Sequence, residues 1–162
     1  MASPARIVSG GQTGVDRAAL DVAVALGIPY GGWCPRGGWA EDLPEPPGLL
    51  ARYPLLRETP GADRSQRTRW NVRDSAATLV LLDGPSPAAG SGTALTLAAA
   101  RELTRPLALA ELGRPEDALR AAQALLDGLR AGGALNVAGP RESGAPGIYE
   151  RSRRFLAELL GG

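Results

Sequence analysis

The chain has 162 residues, of which 44% are hydrophobic and 22% are charged, and its formal net charge is +1. This length fits one domain, so we expect a single domain over residues 1–162. The near-neutral charge gives no global attraction to nucleic acid or to a membrane surface, so neither is an expected partner.

Residues 6–27 predict a strand, a glycine turn and a helix. Ile7 and Val8 are apolar, and the helical pattern begins near Gly14 and ends at Gly27, a residue typical of helix C-termini. The first backbone N–H groups of a helix have no partners inside it, which favours an anion at this turn. The predicted ligand-binding residues of the first turn are Gly10, Gly11, Gln12, Thr13 and Gly14.

The rest of the chain alternates between strand and helix patterns. Strands are predicted at residues 28–33, 76–82, 107–110 and 134–138, with a weak extended segment at 55–58. Helices are predicted at residues 63–74, 93–102, 115–130 and 146–160, and a proline-rich loop at 44–52. This alternation predicts a Rossmann-like, doubly wound, mostly parallel sheet with helices on both faces, in three α/β/α layers.

Ligands of such sheets bind at the carboxyl ends of the strands, where three glycine-bearing turns occur here. The second turn, residues 90–93, follows the buried strand 76–82. It predicts a second anion site at Gly90, Ser91, Gly92, Thr93 and Thr96. The third turn, residues 139–143, contributes Arg141. On the helix 63–74, one polar face adds Arg67, Thr68 and Asn71 as ligand contacts.

Arg17 is the most informative charge near the first turn. A cation in the first turn of a helix opposes the helix dipole unless an anion or a carboxylate lies beside it. Arg17 therefore predicts either a bound anion or a partner such as Asp42.

Each of these patterns also has a purely structural interpretation. Thr13 and Asp16 match a capping box, Ser65 is a candidate N-cap of the helix 63–74, and Ser91 or Thr93 could cap the helix 93–102. The arginines around residue 67 are by default a solvated face, and Trp39, like Trp33, favours loop packing.

The residue types that are absent limit which catalytic groups the chain can use. All 18 basic residues are arginine and histidine is missing, which excludes a P-loop lysine, a Schiff-base lysine, an imidazole base and a Ser-His-Asp triad. Cys34 has no histidine to activate it, so we interpret it as a small apolar residue. The carboxylates best placed for catalysis, if the chain is an enzyme, are Asp16, Asp42 and Glu142. We predict no metal-binding residues.

A single cysteine cannot form an internal disulfide, and the N-terminus lacks the hydrophobic core of a signal peptide. No apolar run approaches the ~18 residues of a membrane helix. We therefore expect a cytoplasmic protein.

Four ordered motifs cover most of the chain. They are SGGQTGVDRAALD at residues 9–21, GWCPRG with AED at 32–42, QRT with WNVRD at 66–74, and LNVAGPRES with PGIY at 135–149. Together they resemble the putative molybdenum carrier family, which is grouped with Rossmann-like proteins that include the LOG phosphoribohydrolases and DNA-processing protein A. The resemblance implies a nucleotide- or phosphate-bearing ligand, and the family name implies molybdenum cofactor, a pterin that carries a phosphate.

The second turn departs from the LOG relatives. Their motif P-G-G-x-G-T-x-x-E ends in a catalytic glutamate where this chain has Thr96. This departure argues against phosphoribohydrolase activity.

Two functions from different classes follow, and a third reading stays open beside them. The first is a binding protein for a small phosphate-bearing nucleotide or pterin, with molybdenum cofactor or a nucleotide as the expected ligand. The second is a hydrolase of a nucleotide or nucleoside phosphate that uses its carboxylates, because a chain without histidine has few other general bases. The third is a structural or interaction subunit that binds no ligand. Relatives of this fold assemble through their helices, so a homo-oligomer is expected.

Overall fold

Seven β-strands and six α-helices alternate along the chain in a computed structural model, which describes residues 3–162. The strands are β1 (Arg6–Val8), β2 (Tyr30–Gly31), β3 (Trp33–Cys34), β4 (Arg57–Glu58), β5 (Ala77–Leu82), β6 (Leu107–Glu111) and β7 (Ala134–Ala138). The helices are α1 (Val15–Leu26), α2 (Leu49–Arg52), α3 (Arg64–Arg73), α4 (Gly92–Glu102), α5 (Pro115–Asp127) and α6 (Ile148–Gly161).

The main sheet contains five parallel strands in the order β2-β1-β7-β5-β6. A second, two-stranded sheet pairs β3 with β4, also in parallel. Parallel strands need crossover connections, which the helices between them supply. The predicted Rossmann-like, doubly wound architecture is confirmed.

The strand order matches that of common doubly wound folds when the strands are renumbered from β5, through β6 and β7, to β1 and β2. Read from the β6 edge, the sheet then has the order 2-1-3-4-5 of doubly wound folds. In that order the winding reverses between the first and third strands, which here are β5 and β7. Ligand sites of such sheets lie at the carboxyl ends of the strands beside this reversal.

Helices cover both faces of the main sheet. On one face, α1, α5 and α6 pack against alternate strand side chains that include Ile7, Leu79 and Leu135. On the other face, α4 packs on Val80 and Leu82 of β5 through Leu97, and α3 packs against α4 through Val72. All six residues of β5 are buried, as the continuous apolar run predicted.

The segment predicted as one strand at residues 28–33 is divided between the two sheets. Gly32 separates β2 from β3 with a φ of +131°, and a Cβ there would collide with the main chain of Ser9. The glycine therefore lets the chain turn away beside the end of β1. The predicted loop at residues 44–52 contains the short helix α2.

Two predicted caps are wrong. Asp63, not Ser65, is the N-cap of α3, and its carboxylate accepts the Ser65 N–H at 2.9 Å. Helix α1 begins at Gly14 without a side-chain cap, because Thr13 is engaged with residues distant in the sequence. Among residues 3–162, no helix combines the length and the apolar composition needed to cross a bilayer.

Candidate functional site

A cleft of about 500 Å³ opens at the carboxyl ends of β1, β5 and β7, beside the reversal of the winding. Residues from all three glycine turns and from α3 meet there. The predicted site residues that line it are Gly10, Gln12, Asp16, Arg67, Thr68, Asn71, Gly90, Ser91, Gly92, Thr93, Thr96 and Arg141. This volume lies in the range of small-molecule sites.

The second turn presents backbone donors to the cleft. Ser91 is the N-cap of α4, and its Oγ accepts the Ala94 N–H at 3.1 Å. Within residues 3–162, the N–H groups of Gly92 and Thr93 make no hydrogen bond. Unused donors at the positive end of an 11-residue helix are able to bind an anionic group.

Arg67 reaches from α3 to the first turn. Its Nη1 donates to the Gly10 carbonyl at 3.0 Å and lies 3.8 Å from Oδ2 of Asp16. A Cβ on residue 10 would lie 2.5 Å from the same Nη1, so only glycine leaves room for this contact. The Arg67 guanidinium and the Asp16 carboxylate therefore lie close together at the wall of the cleft.

Burial changes the acidity of Asp16. Its side chain is 11% exposed. Loss of hydration on burial raises the pKa of Asp16 to about 6, although the Arg67 charge and the Gln12 N–H act in the opposite direction. Asp16 can therefore exchange a proton near neutral pH, as a general acid or base must.

Arg17 lies outside the lining of the cleft and is used within the protein. Its guanidinium donates two hydrogen bonds to Asp42, at 2.9 and 2.8 Å, and a third to the Gly11 carbonyl at 3.1 Å. The hydrogen bonds from Arg17 hold the pKa of Asp42 below its usual value. A carboxylate thus lies beside the cation, which was one of the two partners predicted for it.

The first and third turns are joined to each other. Thr13 donates to Glu41 at 2.5 Å and accepts the Glu142 N–H at 3.0 Å, while Glu41 accepts the Ser143 hydroxyl at 2.7 Å. Gly11, Thr13 and Gly14 do not line the cleft. A Cβ on Gly14 would collide with the carbonyl of Pro140.

Glu142 does not line the cleft either. Its carboxylate accepts the N–H groups of Gly147 and Tyr149, at 2.6 and 2.9 Å, where α6 begins. Of the three carboxylates predicted for catalysis, the structure places only Asp16 in the cleft lining.

Asn71 lines the cleft but is tied to β3. Its Oδ1 accepts the Trp33 N–H at 2.7 Å, and its Nδ2 donates to the Trp33 carbonyl at 2.9 Å. Both ends of the carboxamide are thus used to fix α3 against β3.

Sequence reasoning missed four polar residues of the lining, Arg64, Ser65, Asp83 and Asn136. Arg64 lies over the ring of Trp39, with 3.4 Å between the guanidinium carbon and the ring centre. Asn136 is 2% exposed and lies on β7. An asparagine inside an apolar strand was the signal that could have identified it, because strands disfavour asparagine. Within residues 3–162, no three acidic or cysteine side chains are grouped as a metal ion would require.

Comparison with known proteins agrees with this architecture. A crystal structure from Syntrophus aciditrophicus SB, described as a putative molybdenum carrier protein, matches with a TM-score of 0.85 and 38% sequence identity. The match covers 99% of this chain and 97% of that chain. No curated protein matches.

The sequence model of the circularly permutated YpsA SLOG family matches residues 7–160. A circular permutation describes the strand order seen here, in which the familiar winding is recovered by starting at β5. The resemblance predicted from the four motifs is confirmed. The chain belongs to the circularly permutated YpsA SLOG family.

Proposed function

We propose that this chain is a binding protein whose cleft holds a phosphate-bearing ligand of the nucleotide or pterin class, of which molybdenum cofactor is one. The observation that carries the proposal is the pair of unused N–H groups on Gly92 and Thr93, two residues that line the cleft at the start of α4. Backbone donors at a helix start bind phosphate without needing a lysine.

The charges of the lining support an anionic ligand. Arg64, Arg67 and Arg141 supply three positive charges against two negative ones from Asp16 and Asp83. Arginine matches the geometry of phosphate oxygens and keeps its charge at all relevant pH values. Protonation of Asp16 would make the balance still more positive.

The relative from Syntrophus aciditrophicus supports the pterin side of the proposal. It is described as a putative molybdenum carrier protein and matches this chain over nearly its whole length. Molybdenum cofactor combines a pterin with a phosphate, and a cleft of about 500 Å³ offers room for both parts.

A backbone substitution tests the anion site. Gly92 is the first residue of α4, where proline is favoured, and Ser91 before it has the extended ψ of 162° that a residue before proline adopts. Gly92→Pro therefore removes one N–H group and leaves the helix start intact. We expect calorimetric titration with a nucleoside monophosphate and a pterin monophosphate to show a Kd about 5- to 10-fold higher.

Gly92→Ala is the matched control. A Cβ on Gly92 meets no atom within 4 Å, and alanine keeps the N–H group, so the Kd should stay within about 2-fold. Equal affinities in both variants would overturn the anion site. If the unsubstituted protein binds none of these compounds, the reading as a structural or interaction subunit is favoured instead.

A second candidate function rests on Asp16. A carboxyl group with a pKa of about 6 at the wall of a cleft can activate water or protonate a leaving group, as a nucleotide or nucleoside-phosphate hydrolase requires. Product release from a panel of nucleotides tests it. Turnover that Asp16→Asn abolishes and Glu142→Gln preserves would favour the hydrolase, and absence of turnover would favour binding alone.

The site roles of Gly11, Thr13, Gly14 and Arg17 stay predictions, as does assembly into a homo-oligomer. Light scattering coupled to size-exclusion chromatography measures the oligomeric state directly. A monomer at micromolar concentration would contradict the predicted assembly.

A further inference from the structure

One polar side chain on the floor of the cleft is not used by the proposed anion site. Asn136 lies on β7, the middle strand of the main sheet, and lines the cleft although it is 2% exposed. Its neighbours on the strand, Leu135 and Val137, are fully buried in the core on the opposite face. A carboxamide in the centre of a parallel sheet is unfavourable unless hydrogen bonds compensate for its lost hydration.

The hydrogen-bonding capacity of Asn136 is mostly unused. A carboxamide can donate two hydrogen bonds and accept two. Within residues 3–162, that of Asn136 makes one, in which Nδ2 donates to Oγ1 of Thr78 at 3.4 Å. This distance is long for such a bond, whose usual range is roughly 2.7–3.2 Å. The amide oxygen and one N–H therefore remain available to a ligand.

Asn71 shows the difference between the two asparagines of the chain. Its carboxamide is satisfied at both ends by the main chain of Trp33. That of Asn136 has no such partner and faces the same cleft. Nearby in the lining, Thr93 is 5% exposed, and its hydroxyl makes no hydrogen bond to any of residues 3–162.

The chemistry of a carboxamide indicates which part of a ligand it would contact. A carboxamide presents a donor and an acceptor side by side and carries no net charge. Its oxygen repels phosphate oxygens, because both are negative. The same pair matches the edge of a heterocycle that carries one acceptor beside one donor, as asparagine does with adenine. The start of α4 and the arginines bind phosphate more favourably than a carboxamide does.

We propose that Asn136 is a specificity-determining residue, whose carboxamide binds the donor–acceptor edge of a purine-like or pterin-like heterocycle while the phosphate of the same ligand lies at the start of α4. This inference rests on the proposed function, and it adds a selection for the heterocycle to the binding of the anion.

The composition of the chain gives a direct spectroscopic test. Asn71 and Asn136 are its only asparagines, so labelling with ¹⁵N-asparagine yields two side-chain amide signal pairs. The spectrum of Asn136→Leu assigns them, because it lacks one pair. The unsubstituted protein is then titrated with inorganic phosphate, AMP, GMP and a pterin monophosphate. We expect a heterocyclic compound to shift the Asn136 pair, phosphate to leave it in place, and the Asn71 pair to stay constant.

Affinities provide the second readout. Asn136→Leu should raise the Kd of the heterocyclic compound that binds best by about 10-fold or more, and leave that of phosphate within about 2-fold. Thr78→Val is the matched control, since it removes the other member of the buried polar pair and Thr78 does not line the cleft. Its affinities should stay within about 3-fold.

The two proposals fail in distinguishable ways. If phosphate and the heterocyclic compounds bind but the Asn136 pair never moves, the specificity role is overturned and the anion site stands. If none of the four compounds binds, the proposed function is overturned, and the role of Asn136 with it.

Discussion

Replacement of Asp16 by asparagine should stabilise the protein at neutral pH and have no such effect in acid. Asparagine keeps the shape of the protonated carboxyl group but cannot ionise. The pKa of Asp16 is raised from 3.8 to about 6, because burial disfavours its charged form. The folded protein therefore binds the proton of Asp16 more tightly than the unfolded chain does.

The size of the effect follows from that difference in pKa. At pH values well below 3.8 the carboxyl is protonated in both states, and the stabilisation is fully present. As the pH rises through 6, the folded state must release the proton too, and the stabilisation is lost. A difference of about 2 pKa units corresponds to roughly 3 kcal/mol at about 1.4 kcal/mol per unit. Asp16→Asn avoids this loss, so its advantage should grow by up to about 3 kcal/mol between pH 4 and pH 8.

Urea denaturation of both proteins at several pH values measures this difference, since the other titrating groups are shared and cancel. The midpoint should separate progressively between pH 4 and pH 7 and then stay constant. Parallel curves across the whole range would refute the reasoning, because they would show that Asp16 has the same pKa in both states. A variant less stable at every pH would show that the Asp16 charge is needed by Arg67.

The remaining predictions concern residues with assigned contacts. Arg17→Met should cost about 2 kcal/mol in urea denaturation by removing the partner of Asp42, whereas unchanged stability with lost phosphate binding would place this arginine in the ligand site. Glu142→Ala should lower stability by about 1 kcal/mol through loss of the N–H acceptor at the start of α6, and an unaltered melting temperature would contradict that role. Gly10→Ala should destabilise by roughly 1–3 kcal/mol because its Cβ would lie 2.5 Å from a buried guanidinium, while Gly84→Ala, with open space around it, should be nearly neutral in the same thermal melt.

Local patterns in the sequence were sufficient for the main sheet. The apolar run of β5 depends on neighbours within a few residues and was predicted correctly, whereas the sequence left both Ser91 and Thr93 as possible caps of α4, and the structure shows Ser91. Arg17 was harder, because its partner Asp42 lies on a loop whose path no local pattern fixes.

The roles of Asn71 and Asn136 could not be separated from sequence for a related reason. Both were polar residues beside apolar ones, and only the tertiary structure shows which is satisfied. A side chain with an unpaired donor or acceptor can be recognised only when the positions of all possible partners are known.

The position of β7 has a consequence for how this chain is made. The strand lies in the middle of the main sheet, between β1 and β5, yet it is translated last of all the strands. On the ribosome β1 can pair only with β2, and β5 only with β6, so two separate halves must wait for the strand that joins them. Sheets that depend on such distant pairings fold slowly and expose strand edges meanwhile. The permuted order thus postpones completion of the cleft, which both halves line, until β7 has been made.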